Sequence, residues 1–234
     1  MGGGGFSMDE DTLLDDFILG LARRQPARVC FVPTASGDSA TYLVKFYRAF
    51  SGRAIASDLT LFGSPQLPRR PRTSAELERF ALDQDVIYVG GGNTANMLAL
   101  WRAHGLDNIL RVAWEQGVVL SGLSAGMLCW FQASLSDSFG VSGPLRDGLG
   151  LLTGSACPHY DAEAQRRRPR YRELIASGFP AGFGVDDGAA LHFVGTELAE
   201  VVSSRPSAAA FRVRPSGDGV EEERLPVRHL GSPG

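Results

Sequence analysis

Cysteine is scarce: the 234-residue chain has three, Cys30, Cys129 and Cys157. The count is odd and no pair has CxxC spacing, which argues against a disulfide framework or a zinc knuckle. Cys30 and Cys129 sit in apolar runs, so a reducing compartment is expected. No apolar run approaches the roughly 20 residues that span a bilayer. The N-terminus is glycine-rich and then acidic, unlike a secretory signal. The expected location is therefore the cytoplasm, with no membrane partner. A strong charge bias is also missing. Charged residues make up 21% and the formal net charge is −3, so no global field draws nucleic acid. Two basic clusters, Arg69-Arg70-Pro71-Arg72 and Arg166-Arg167-Arg168-Pro169-Arg170, must be judged locally. There is no internal repeat and no interdomain linker. With 44% hydrophobic residues, the chain can bury one sizeable core. The expected organisation is one α/β domain over residues 1–214 and a polar, frayed tail over 215–234.

Helix and strand signals alternate. Leu13, Leu14, Phe17, Ile18 and Leu21 repeat at helical spacing, as do Leu43, Phe46, Tyr47 and Phe50. Val29-Cys30-Phe31-Val32 reads as a buried strand, Ile55 to Phe62 as another, and Val86-Ile87-Tyr88-Val89 and Val118-Val119-Leu120 as two more. Thr73-Ser74-Ala75-Glu76 is a capping-box signature ahead of Leu77, Phe80 and Ala81. Helices are expected through Leu98 and Trp101, over Ile109 to Glu115, and from Ala125 to Phe131. Repeated βα units predict an α/β fold with a mostly parallel central sheet and helices on both faces. Residues 134–150 read as a long loop and 189–213 as short strands with a hairpin near the C-terminus. Gly2 to Gly5 is a run that in such folds follows a first strand. Either the sheet lacks that strand, or the true start lies upstream of this sequence.

Gly122-Leu123-Ser124-Ala125-Gly126 has the G-x-S-x-G form, between an apolar strand and a helical stretch. A sharp strand-to-helix turn exposes a serine hydroxyl, and small neighbours relieve the crowding. The competing reading is a tight turn with an incidental serine; the strand–turn–helix setting favours a nucleophile. Gly90-Gly91-Gly92-Asn93-Thr94 is a second special turn at a strand end. In open α/β sheets such ends form the ligand crevice. The N–H groups of Gly92 and Ala125 are candidate oxyanion donors. Neither G-x-G-x-x-G nor a G-x-x-x-x-G-K-[ST] loop occurs, so no nucleotide, other cofactor or metal is expected.

A serine nucleophile needs a base. Of the four histidines, His104 lies on a surface helix, His192 in a strand and His229 in the tail. His159, in Cys157-Pro158-His159-Tyr160-Asp161, follows a strand and is best placed. The carboxylate that orients it is open among Asp186, Asp187, Asp137 and Asp161.

Together these features resemble the peptidase E (dipeptidase E) family of serine peptidases. The likeness spans most of the chain: Gly2–Ser7, Pro33-Thr34-Ala35-Ser36-Gly37, the two glycine turns, Pro158-His159-Tyr160 and Asp186-Asp187-Gly188. It is nearest to an uncharacterised bacterial branch with Ser136-Asp137-Ser138-Phe139-Gly140. The resemblance implies a fold like class I glutamine amidotransferases, with serine in place of the cysteine nucleophile. It maps Ser124 as nucleophile, His159 as base, Gly92 and Ala125 as oxyanion donors, and Asp187 at the acid position. The family's acid is usually glutamate. Aspartate is one methylene shorter, so the backbone must come closer or a water must bridge, which keeps Asp137 in play. Founding members cleave dipeptides with N-terminal aspartate, and Asn93, Arg166 and Arg170 are the candidate substrate contacts. The competing reading of the arginine run is a solvated basic turn. The partners implied are a short peptide substrate and further copies of the chain, as a dimer or higher homo-oligomer. Two other functions compete: a cyanophycinase-like hydrolase of aspartate-rich polymer, and a non-catalytic α/β module that binds a small metabolite.

Overall fold

The computed structural model describes residues 1–9, 11–62, 73–217 and 219–231. In chain order the elements are α1 (Leu13–Gly20), β1 (Arg28–Val32), α2 (Ala40–Phe50), β2 (Ile55–Asp58), α3 (Ser74–Leu82), β3 (Val86–Val89), α4 (Thr94–His104), α5 (Leu106–Glu115), β4 (Val119–Gly122) and α6 (Ala125–Leu128). The second half carries β5 (Phe131–Ser136), β6 (Gly143–Leu145), β7 (Leu152–Cys157), α7 (Arg167–Ala176), β8 (Gly182–Val185), β9 (Ala189–Val194), β10 (Glu197–Ser203), β11 (Ala210–Ser216), β12 (Gly219–Arg224) and β13 (Arg228–His229).

The first half builds a parallel sheet in the order β2-β1-β3-β4. The inner strands β1 and β3 are almost wholly apolar and buried because both faces are covered, whereas β2 at the edge carries Ser57 and Asp58 and is only partly buried. Strand periodicity divides them. Cys30 and Val32 of β1 and Ile87 and Val89 of β3 pack with Leu77, Leu98, Trp101, Leu106 and Leu110 of α3, α4 and α5. Val29, Phe31, Val86 and Tyr88 face the other way, onto Leu14 and Ile18 of α1 and Phe46 and Phe50 of α2. Phe31 and Phe46 stack with ring centroids 4.9 Å apart, a contact worth roughly 0.5–1.5 kcal/mol beyond its buried area. The capping box forms as expected: Thr73 Oγ1 accepts from the Glu76 N–H and Glu76 accepts from the Thr73 N–H. This half matches the expected α/β architecture, with a mostly parallel sheet and helices on both faces.

The second half builds a sheet in the order β12-β11-β8-β7-β5-β6, covered by α7 through Tyr171 and Ile175. A third sheet, β13-β10-β9, contains the expected hairpin, β9 turning into β10 at Gly195-Thr196.

Four expectations need correction. The helix from Ala125 stops at Leu128, and Phe131 already belongs to β5. Residues 134–150 are not one loop: Ser134 and Ser136 lie in β5, and Gly143–Leu145 form β6. Polar serines disguised that strand, yet Ser134 and Ser136 are buried, and Ser136 Oγ is 2.7 Å from Ser138 Oγ. The strand from Ile55 ends at Asp58 rather than Phe62. The tail from Pro215 is not frayed across its described residues. β11 runs to Ser216, and β12 pairs with it antiparallel, Arg212 opposite Glu223 and Arg214 opposite Glu221. Cross-strand opposite charges stabilise such a polar ribbon, and it is this pairing that makes the segment's composition look like a tail. The cluster Arg69-Arg70-Pro71-Arg72 lies outside the described residues.

Candidate active site

Three strand ends meet at one place: β4 leads to Ser124, β7 to His159 and β8 to Asp187. Ser124 has φ 53° and ψ −115°, a left-handed conformation costly for a residue with a Cβ and typical of strained functional turns. The flanking glycines explain how the turn can exist. A Cβ on Gly122 would lie 2.3 Å from Gly126 O, and one on Gly126 would lie 2.2 Å from Val89 O. The turn folds onto its own helix start and onto the end of β3, and only glycine permits both approaches.

The Gly90-Gly91-Gly92 turn abuts it: a Cβ on Gly91 would sit 3.3 Å from Ser124 Cβ. Gly92 has φ +138°, and a Cβ there would meet Ala35 O at 2.2 Å. The loop after β1 thus holds this turn, reinforced by the Asn93 N–H donating to Ala35 O at 2.8 Å. Among the described residues the N–H groups of Gly92 and Ala125 donate to no protein acceptor.

His159, also left-handed at φ 49°, spans the two other groups. Its Nε2 is 2.9 Å from Ser124 Oγ and its Nδ1 is 2.5 Å from Asp187 Oδ1. All three lie in the part-buried range, with His159 and Asp187 side chains 18% and 20% exposed. The Asp187 carboxylate reaches the imidazole directly, with no water between them. Gly3 forms a parallel bridge with Asp187, and the Gly188 N–H donates to Gly3 O at 3.0 Å. A Cβ on Gly3 would fall 2.2 Å from Asp187 Oδ1 and 3.0 Å from His159 Cε1. The Asp187 N–H is itself held by Asp161 Oδ1 at 3.0 Å.

The other acid candidates are engaged elsewhere. Asp137 accepts from the buried Arg167 at 2.7 Å. Asp186 accepts the Ala209 N–H, and burial pushes its carboxyl up to about 6. Of the candidate substrate contacts, Asn93 caps α4 by accepting from the Asn96 N–H and donates to Ser138 O at 2.9 Å. Arg170 is exposed and pairs with Glu173. Arg168 and Arg172 pair with Glu222. Arg166 is exposed and left-handed, and makes no ion pair among the described residues.

Gly3 was visible in the sequence only as one glycine of a run, with nothing to say it faced Asp187. Arg205 was not singled out either: it pairs with Asp9 at 2.8 Å and lies under Gly188, whose Cβ would meet its Cδ at 2.9 Å. Among the described residues no cluster of three or more His, Cys, Asp or Glu could hold a metal ion. Among them also, no helix is long and apolar enough to cross a membrane.

The family model described as peptidase family S51 matches residues 1–201. The chain is 50% identical over 234 residues to an uncharacterised peptidase, YgaJ, of Bacillus subtilis, covering 99% of this chain and 97% of that protein. It is 28% identical over 196 residues to Peptidase E of Streptomyces coelicolor, covering 80% and 75% of the two chains. The crystal structure of a peptidase from an acI-B1 Actinobacterium superposes over 97% of this chain and 92% of its own, with a TM-score of 0.72 at 17% identity. At that identity the likeness speaks for the fold.

Proposed function

The chain belongs to peptidase family S51, and we propose that it hydrolyses short peptides through an acyl-enzyme on Ser124. The observation that carries the proposal is the position of His159, within hydrogen-bond reach of Ser124 at one ring nitrogen and of Asp187 at the other. His159 Nε2 takes the Ser124 Oγ proton as Oγ attacks the scissile carbonyl carbon. The resulting oxyanion receives hydrogen bonds from the Gly92 and Ala125 N–H groups. Collapse breaks the C–N bond, and His159 returns the proton to the leaving amine. Water, deprotonated by the same imidazole, then attacks the acyl carbon and releases Ser124. Asp187 keeps the Nδ1 proton in place and stabilises the imidazolium that forms.

The arginine run seven residues beyond His159, and Arg166 in particular, is a cation source for a substrate carboxylate, which favours peptides with N-terminal aspartate.

A fluorophosphonate probe and a dipeptide panel test both parts. Wild type should label at Ser124, and Ser124→Ala should lose labelling together with kcat, by on the order of 10^6 as for other serine peptidases. Wild-type turnover in Ser124→Ala would sink the nucleophile. Equal rates on Asp-X and neutral dipeptides would sink the substrate preference.

A further inference from the structure

Three of the four backbone N–H groups from Gly90 to Asn93 are committed within the fold. Gly90 donates to Val32 O at 3.1 Å, Gly91 to Tyr42 Oη at 3.3 Å and Asn93 to Ala35 O at 2.8 Å. Among the described residues only the Gly92 N–H of this run has no protein acceptor. The turn is thus held on either side of one free donor, the arrangement that preorganised oxyanion stabilisation needs. Gly92 itself, at φ +138°, has no side chain to restrain it, so its orientation depends on its neighbours.

The neighbour that reaches furthest is Asn93. Its Oδ1 accepts from the Asn96 N–H at 2.9 Å and caps α4. Its Nδ2 donates to Ser138 O at 2.9 Å, in the turn between β5 and β6. Ser138 returns a second bond to the same place: its Oγ accepts from the Ala95 N–H at 3.1 Å, in the first turn of α4. Ser138 is itself fixed from behind. Ser136 is buried, and its Oγ accepts from the Ser138 N–H at 3.2 Å and lies 2.7 Å from Ser138 Oγ. The Asn93 amide therefore has its oxygen and one of its hydrogens in use inside the protein, which suits a brace better than a substrate contact.

We propose, on the acyl-enzyme reading given above, that Asn93 and Ser138 are positioning residues for the Gly92 oxyanion donor. They touch no reacting atom. The bond to Ser138 O holds the Asn93 side chain, and with it the peptide that follows Gly92, in one orientation. The restraint acts on the aim of one turn, not on the spacing of the two sheets. An oxyanion exists only as the reaction proceeds, so a misaimed donor lowers kcat and leaves KM nearly unchanged. Loss of a substrate contact would raise KM instead.

Asn93→Ser separates the brace from the cap. Serine caps a helix about as well as asparagine, adds no charge beside the oxyanion, and is too short to reach Ser138 O. Ser138→Ala loosens the brace from the other half by removing the acceptor of the Ala95 N–H. Both are assayed on the best dipeptide, with competent enzyme counted by fluorophosphonate labelling of Ser124. Asn93→Ser should lower kcat about 10- to 100-fold, short of the roughly 10²- to 10³-fold cost of removing an oxyanion donor outright, with KM held within about threefold. Ser138→Ala should lower kcat about 3- to 10-fold, the worth of one hydrogen bond. An α-aminoboronic acid bearing the N-terminal side chain of that dipeptide forms a tetrahedral adduct on Ser124, and its Ki should rise by the factor lost in kcat/KM. A raised KM at wild-type kcat in Asn93→Ser would make Asn93 a substrate contact and overturn the proposal. So would wild-type kcat and KM in both variants, or an unchanged boronic acid Ki beside a reduced kcat. In each of these cases wild type still labels at Ser124, and the acyl-enzyme stands. No labelling of wild type, together with full turnover in Ser124→Ala, would overturn the acyl-enzyme and the positioning role with it.

Discussion

Gly3→Ala is the most selective perturbation of the site that the structure offers. Gly3 is not among the glycines with positive φ, so alanine fits the backbone there. Its Cβ does not fit the space, because it would sit 2.2 Å from Asp187 Oδ1 and 3.0 Å from His159 Cε1. Ordinary contact begins near 3.4 Å, so the carboxylate must retreat by more than an ångström. From a starting separation of 2.5 Å, that retreat breaks the bond to His159 Nδ1. A misplacement of about 1 Å in catalytic machinery costs on the order of 10²-fold, or about 2.7 kcal/mol of transition-state stabilisation. The loss should fall on kcat, since Asp187 acts on the imidazole rather than on ground-state binding. In an Asp187→Asn background the same alanine should cost much less, because that bond is already gone. Gly20→Ala is the control: its Cβ would meet nothing within 4 Å, and kcat/KM should not change. Steady-state kinetics on the best dipeptide, with thermal melts to verify folding, decide the matter. Wild-type kcat/KM in folded Gly3→Ala would refute the view that Gly3 sets the position of the acid.

Asp187→Asn should lower kcat by up to about 10^4-fold, whereas Asp137→Asn should stay within a few-fold. Asp137→Asn weakens the partner of buried Arg167 and should instead lower Tm by a few degrees; the opposite ranking of the two kcat values would move the acid to Asp137. Asp15 is buried beside Tyr88, and desolvation raises its carboxyl from 3.8 to about 7. The folded state therefore holds this proton more tightly, so its contribution is complete below about pH 4 and is lost as pH rises through 7. At about 1.4 kcal/mol per unit, the contribution is on the order of 4 kcal/mol. Thermal melts from pH 4 to 8 should show it as a slope that Asp15→Asn flattens, and an unchanged slope counts against it. Arg166→Ala should reduce kcat/KM for Asp-X peptides by about 10- to 100-fold, the worth of a charged hydrogen bond. It should spare neutral peptides, while Arg170→Ala, already paired on the surface with Glu173, should alter neither; an equal loss on both substrate classes would remove Arg166 from recognition.

The parallel half of the fold was legible because its inner strands β1 and β3 are nearly continuous apolar runs and its helices carry apolar stripes at 3.6 spacing. The Thr73 capping box shows the same agreement of local and global signals. The second half was harder for two physical reasons. β5 carries two buried serines, Ser134 and Ser136, the second bonded to Ser138 just beyond the strand, so polarity there does not mean exposure. β12 is an outer strand whose glutamates are matched by arginines on β11 and α7, so its charge reads like a solvated tail. Within the site, Ser124 and His159 announced themselves by turn motifs at strand ends. The proposed acid did not, because no local pattern separates Asp187 from Asp186, Asp161 or Asp137. What separates them is which carboxylate a distant glycine allows up to the imidazole, a contact between residues 3 and 187 that no window of sequence contains.

Residues 1–3 have an influence out of proportion to their size. Met1 O receives the Ser124 N–H, and Gly3 O receives the Gly188 N–H, so one short extended segment braces the nucleophile turn and the acid turn together. A triad is useful only if its members keep their spacing to within about half an ångström. Here the proposed nucleophile, Ser124, comes from the first sheet, and the proposed base and acid, His159 and Asp187, follow strands of the second. The two sheets share no strand pairing among the described residues. Side-chain packing and side-chain bonds such as Asn93 to Ser138 O and Arg102 to Asp147 also join the two halves, but they tolerate small slides that backbone–backbone bonds do not. The N-terminal segment supplies backbone bonds to both sides. The Asp187 carboxylate lies against the backbone of residue 3, and it can do so because position 3 has no side chain.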